Sequence, residues 1–112
     1  MSGEPRWISK KGLLMLHEES LAMFGGASGL WGEGLLDSAL ARPLNTDAYN
    51  PDSTLADLAA SYGFGLAKNH AFLDGNKRAA FLSIGVFLSM NLKTAIDPQA
   101  RAGSAALPVR FG

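Results

Sequence analysis

One short run of the chain holds most of the side chains able to do chemistry together: His70-Ala71-Phe72-Leu73-Asp74-Gly75-Asn76-Lys77-Arg78. The chain has two histidines, and one of them is here. A neutral imidazole accepts a proton from an attacking hydroxyl near pH 7. Asp74 is a hard carboxylate, the kind of ligand Mg²⁺ takes from a protein when phosphates supply the rest of its shell. Gly75 lets the backbone turn tightly and come close to a ligand. If a helix starts at Asn76, its unpaired N–H groups and the positive end of its dipole lie beside the cations Lys77 and Arg78. A base, a metal ligand and a phosphate clamp suffice to move a phosphorus-containing group onto a hydroxyl, a chemistry of positioning and charge stabilisation. The logic is that of a P-loop, but the pattern G-x-x-x-x-G-K-S/T is absent and only Gly-Asn-Lys is present.

Each of these residues also has an ordinary role. A histidine between helices caps or satisfies a hydrogen bond, Asp-Gly-Asn makes a turn, and Lys-Arg sits in solvent. Cations are disfavoured at a helix start, however, and call for an anion to compensate them. The order of these types within nine positions carries the functional reading.

The elements that must position them read as helices. Ser9 to Phe24 is a first helix capped by Ser9, with Leu13, Leu16, His17, Leu21 and Phe24 near one face, stopped by Gly25 and Gly26. Gly26 to Gly34 has four glycines in nine residues and is a loop. Leu35 to Arg42 is a short second helix ended by Pro43, and Pro43 to Asp52 is a connection. Thr54 and Asp57 have the spacing of a capping box. A third helix then runs to about Lys68, with Leu55, Leu58, Ala59, Tyr62 and Leu66 in one stripe and Gly63 and Gly65 allowing close approach of a neighbour. A fourth helix, from about Asn76 to Met90, is apolar almost all round and is expected at the centre of a bundle. Leu92 to Asp97 is expected to be extended, and residues 98–112 are atypical, read as a truncated or disordered tail. The class is all-α.

A chain of 112 residues, 47% hydrophobic, makes a single domain with a modest core. Ten basic residues balance ten acidic ones, so no global field attracts nucleic acid or an anionic membrane, and an anion site must be local. The absence of cysteine excludes disulfides and thiolate metal sites. The polar N-terminus lacks a signal-peptide core, and the most apolar run, Ala79 to Met90, is too short to span a bilayer. The expectation is a soluble, cytoplasmic protein that binds neither membrane nor nucleic acid directly.

The run His70 to Arg78 resembles the signature of the Fic/Doc family, H-x-F-x-D/E-G/A-N-x-R. It is most similar to the Doc (death on curing) branch, where lysine stands between the asparagine and the arginine. The stretches Gly32 to Pro43 and Leu58 to His70 are similar to Doc-like segments, and the resemblance covers about Ile8 to Asn91. It implies a compact helical core with the active-site loop between the third and fourth helices. By this resemblance His70 is the base that activates a target hydroxyl, and Phe72 is the buried anchor of the loop. Asp74 holds Mg²⁺ or orients His70. Gly75, Asn76 and Lys77 form the anion-binding loop, and Arg78 clamps a nucleotide phosphate.

The activity implied is that of a Doc-like toxin of a toxin–antitoxin pair. It transfers phosphate from ATP or another nucleoside triphosphate to a hydroxyl of a translation-related protein. The partner implied is an antitoxin whose flexible segment folds on the toxin. Two alternatives stand beside it: AMP transfer, as in the Fic branch, and a catalytically weak antitoxin-binding module. The AMP-transferring branch reads H-P-F-x-x-G-N-G-R-x-x-R, whereas this chain has Lys77 for the second glycine and Phe81 for the second arginine. Trp31 and Gly32 also replace a charged pair common in Doc-like relatives. Ser28 and Glu33 approach the spacing of an inhibitory helix found in some Fic proteins but miss it by one residue, among glycines that argue against a helix.

Overall fold

The computed structural model describes residues 4–96. They form α1 (Lys10–Phe24), α2 (Glu33–Tyr49), α3 (Leu55–Asn69) and α4 (Asn76–Ile96). The extended pairing among the described residues is a lone antiparallel bridge between Leu30 and Phe72. The fold is all-α, as the periodicities require. None of the described helices is long and apolar enough to cross a membrane. The tail at 98–112 lies outside the described residues.

Two helix starts follow from local chemistry. The Ser9 hydroxyl accepts the Gly12 N–H at 2.9 Å and caps α1. At α3 both bonds of a capping box are made: Asp57 N–H to Thr54 Oγ1 at 3.0 Å and Thr54 N–H to Asp57 Oδ2 at 2.9 Å. Leu13, His17 and Leu21 of α1 and Leu58, Ala59, Tyr62 and Leu66 of α3 are buried, while Phe24, at the end of the α1 face, is exposed.

α3 packs against α2 on one side and α4 on the other, and α1 lies against α4. The two α3 glycines make these approaches possible. A Cβ on Gly65 would meet the Ala39 backbone Cα at 3.3 Å, and one on Gly63 would stand 2.5 Å from Ile84 Cδ1. The cost of glycine inside a helix, about 1 kcal/mol relative to alanine, is offset by close packing, with the Ala39 backbone at Gly65 and the Ile84 side chain at Gly63 in the space a Cβ would need.

Three expectations need correction. The second helix does not end at Arg42: it runs from Glu33 to Tyr49 with Pro43 inside it. Leu36, Ala39 and Pro43 are the buried residues of α2, so the proline ring belongs to the face that packs on α3. That packing offsets the missing N–H, and only the chain from Asn50 onward is connection. The fourth helix continues through Leu92 to Ile96 instead of becoming extended. Asn91 does not stop it, because its side chain serves the N-terminal segment. It accepts the Arg6 N–H at 2.7 Å and donates to the carbonyls of Arg6 at 3.0 Å and Phe87 at 2.8 Å. Nor is α4 buried all round: Ala79, Ala80, Ser83, Phe87 and Asn91 form a buried stripe at helical spacing, while Phe81 is 76% exposed.

The N-terminal segment closes the core. Trp7 stacks on Phe87 at 5.9 Å, Phe87 meets Tyr62 at 5.1 Å, and the Tyr62 hydroxyl accepts the Ile8 N–H at 3.0 Å. On the surface Lys10 bridges to Glu33 and, at 2.9 Å, to Asp37, joining the starts of α1 and α2. Exposed pairs of this kind add little to stability.

The glycines give a contrast to measure. Gly85→Ala, where an added Cβ meets nothing within 4 Å, should stabilise by roughly 0.5–1 kcal/mol. Gly65→Ala should lose about 1 kcal/mol net, because overpacking outweighs the helix-propensity gain. Urea midpoints of the two variants should move in opposite directions. Tyr62 gives a pH prediction. Burial pushes its hydroxyl above the ordinary value of 10.0, partly countered by the Ile8 N–H. The folded state therefore holds this proton more tightly than the unfolded state. The contribution to stability is complete below 10.0 and is lost as the pH rises through the folded value. Tyr62→Phe, though less stable at neutral pH, should show a flatter decline of stability with pH above about 10 than wild type.

Candidate active site

The loop between α3 and α4 holds the residues singled out in the sequence. His70 ends α3 in the left-handed region, at φ 53° and ψ 51°. Among the described residues it alone has a positive φ without being glycine. That conformation costs roughly 1–2 kcal/mol, so the surrounding structure has to hold it. Asn69 helps, donating to the Leu35 carbonyl at 2.9 Å and tying the end of α3 to the start of α2. The His70 side chain is exposed and makes no hydrogen bond to another described residue.

Two residues further the chain plunges inward. Phe72 is 3% exposed and its ring lies flat on that of His17, with centroids 3.6 Å apart and an interplanar angle of 12°. Burying Phe72 also buries its peptide groups, which need partners. Asn76 supplies both: its Oδ1 accepts the Phe72 N–H at 3.0 Å and its Nδ2 donates to the Phe72 carbonyl at 2.8 Å. The loop before α2 runs alongside. Leu73 N–H donates to the Gly29 carbonyl at 3.0 Å, and Trp31 N–H to the Ala71 carbonyl at 2.6 Å.

The turn into α4 follows. Gly75 has φ 77°, a conformation that suits glycine. Each Asp74 carboxylate oxygen accepts one backbone N–H: Oδ1 from Gly75 at 2.8 Å and Oδ2 from Ala27 at 3.2 Å. Gly26 lies so close that a Cβ there would stand 2.9 Å from Asp74 Oδ2. The Asp74 carbonyl accepts from His17 Nε2 at 2.8 Å, and the Gly75 carbonyl accepts the Ala79 N–H at 2.9 Å, opening the helix.

The first turn of α4 leaves the N–H groups of Asn76, Lys77 and Arg78 without intrahelical acceptors. Lys77 is exposed. The Arg78 guanidinium lies over the Phe24 ring, 4.6 Å from its centroid. Neither cation has a carboxylate partner among the described residues, where the ion pairs are those of Lys10. Two unpaired positive charges at the positive end of a helix dipole form a local anion-attracting site in a chain of zero net charge. No group of three or more histidine, aspartate or glutamate side chains converges on a metal position among the described residues. A cation here would draw on Asp74 and on its ligand's own oxygens.

Three contributors escape the local reading of the sequence. His17 reads as a core residue of α1, Phe24 as the end of an apolar face, and Ala27 to Trp31 as a glycine-rich connection. Their partners lie 40 to 60 positions away, and no spacing rule reaches that far. The one available signal was compositional: His17, the first of the two histidines, sits on an apolar helix face, where an imidazole needs a polar partner.

The sequence model of the Fic/DOC family matches residues 7–88. Among curated proteins the chain is similar to the protein kinase doc of Escherichia phage P1, 33% identical over 86 residues, which are 77% of this chain and 68% of the phage protein. It is also similar to the toxin Doc of Mycolicibacterium smegmatis, 46% identical over 70 residues, 61% of this chain. The match spans about half, 53%, of the mycobacterial protein.

The Asn76 clamp makes a direct prediction. Asn76→Asp keeps the acceptor for the Phe72 N–H, removes the donor and sets a carboxylate oxygen against the Phe72 carbonyl. It should lower stability by about 1–3 kcal/mol, seen as a fall in the urea midpoint.

Proposed function

The chain belongs to the Fic/DOC family, and from that premise we propose that it is a Doc-like toxin acting as a protein phosphotransferase. The observation that carries the reading is that Lys77 and Arg78, without carboxylate partners among the described residues, stand in the first turn of α4, at the end of the loop that opens with the exposed His70. Lys77, Arg78 and the free N–H groups would hold the phosphates of ATP or another nucleoside triphosphate. His70 would take the proton from the target hydroxyl. The hydroxyl oxygen forms a bond to the terminal phosphorus as the bond to the bridging oxygen breaks, and the nucleoside diphosphate leaves with that electron pair. Asp74 is the residue that would hold Mg²⁺, since each of its oxygens keeps lone pairs beyond the single N–H it accepts. Mg²⁺ bound there would neutralise phosphate charge.

Several features favour this version of the chemistry. Phe81, where the AMP-transferring branch places a second arginine, is exposed and uncharged. Trp31 and Leu73 are exposed beside the loop and favour a protein as hydroxyl donor. The substrate would be a protein of translation, and an antitoxin with a flexible segment would restrain the activity.

The test is to incubate the chain with Mg²⁺, bacterial lysate and ATP labelled on either the γ or the α phosphate. Label should pass to a protein from the γ position only, with a mass gain of one phosphate. His70→Ala should reduce the rate by at least roughly 100-fold. Transfer of the α label would instead establish AMP transfer. No transfer above that of the His70→Ala variant would leave a binding module.

A further inference from the structure

His17 is the other histidine of the chain, and nothing in the proposed reaction employs it. It is 1% exposed, lies on α1 and reaches across 57 positions of sequence to the catalytic loop. There it makes two contacts of different kinds. Its ring covers Phe72, and its Nε2 lies 2.8 Å from the Asp74 carbonyl oxygen. A carbonyl oxygen only accepts, so Nε2 carries the hydrogen and donates it.

The second contact acts on one particular peptide unit. The Asp74 carbonyl and the Gly75 N–H belong to the same planar group, and in a trans peptide they point in opposite directions. Fixing the carbonyl toward His17 fixes the N–H away from it, toward the Asp74 carboxylate, which it meets at 2.8 Å. Glycine at 75 makes this fixing necessary. It allows φ 77°, but it also tolerates the opposite sign, so the same residue that permits the turn permits the peptide to flip. A flip would turn the carbonyl oxygen toward the Asp74 carboxylate and break the bond that the Gly75 N–H makes to it. The fit against His17 is close, since a Cβ on Gly75 would stand 3.4 Å from Nε2.

We propose that His17 is a positioning residue: its Nε2–H locks the 74–75 peptide in the orientation that keeps the Gly75 N–H on the Asp74 carboxylate and so holds that carboxylate in place at the mouth of α4. The catalytic consequence rests on the phosphotransfer reading, but the lock itself does not. Phe72 burial and the peptide lock are separable, because only the second needs a donor at the tip of the ring. His17→Phe keeps a flat ring over Phe72 and removes the donor. His17→Gln removes the ring and puts an amide N–H near the position of Nε2.

Two sets of measurements on the full 112-residue chain decide the matter. In wild type, nitrogen-15 spectra of the imidazole should show Nε2 protonated, with a scalar coupling across the hydrogen bond to the Asp74 carbonyl carbon. A bare Nε2 overturns the proposal without any variant being needed. In the variants, the Gly75 amide resonance should move far from its wild-type position in His17→Phe and return toward it in His17→Gln. Its response to added ADP with Mg²⁺ should follow the same order. Where wild type transfers phosphate, His17→Phe should lower kcat by roughly 10- to 100-fold, the scale of a misplaced reacting geometry, and His17→Gln should recover most of that loss. If both variants lose activity in step with their thermal stability, with the Gly75 amide unmoved in each, His17 is a core residue only and the proposal fails. Absence of phosphate transfer in wild type would sink the phosphotransfer reading, while the tautomer and amide measurements would still decide the lock.

Discussion

Everything in the loop between α3 and α4 depends on burying one aromatic ring without stranding its backbone. Phe72 lies nearly inaccessible against His17, and its N–H and carbonyl would be left without water. Asn76 meets both with one side chain, as a second peptide would. Because Asn76 is also the first residue of α4, the same two bonds that satisfy Phe72 fix where that helix begins. The helix start fixes where its free N–H groups and two cations point. His70 is set from the other end, forced into a left-handed conformation by the chain's need to leave α3 and reach the buried ring within two residues. The acidic, basic and hydrogen-bonding groups of the site are therefore consequences of one packing decision.

Much of this was legible in the sequence where the physics is local. The Ser9 cap and the Thr54–Asp57 box mark helix starts because their partners are three residues away. The buried stripe of α3 follows from its period, and its glycines announce close neighbours. The motif from His70 to Arg78 is contiguous, so its residues were visible together before any fold was known. The misreadings share a cause. Pro43 looks like a stop when judged by its missing N–H, yet its buried face belongs to a contact with α3 that no window around it contains. Asn91 looks like a break, yet its side chain closes on Arg6 at the far end of the chain. The apolar wrap of α4 promised a fully buried helix, but among the described residues the other helices cover one side of it, and Phe81 is exposed.

Asn76, at the start of α4, and Asn91, about four turns further along it, solve the same problem. Each reads both backbone polar groups of one residue, the buried Phe72 in the loop and the exposed Arg6 in the N-terminal segment. An amide suits the task because it offers a donor and an acceptor on one rigid plane, whereas aspartate or leucine offers one or neither. The fourth helix thus holds the site and the chain's beginning in register, with α3 between them contributing the Tyr62 hydroxyl to Ile8.

The separation between His17 and Asp74 also sets an order of events during synthesis. A ribosome adding about 5–20 residues per second delivers Asp74 roughly 3 to 11 s after His17, given the 57 positions between them. Until then α1 has a buried-type histidine with nothing to bind and a face with nothing to cover it. The Arg6–Asn91 closure, 85 positions apart, comes later still. Contacts this distant close slowly even in a finished chain. The loop that would grip a phosphate accordingly takes shape only after α1 has waited for residues made well after it.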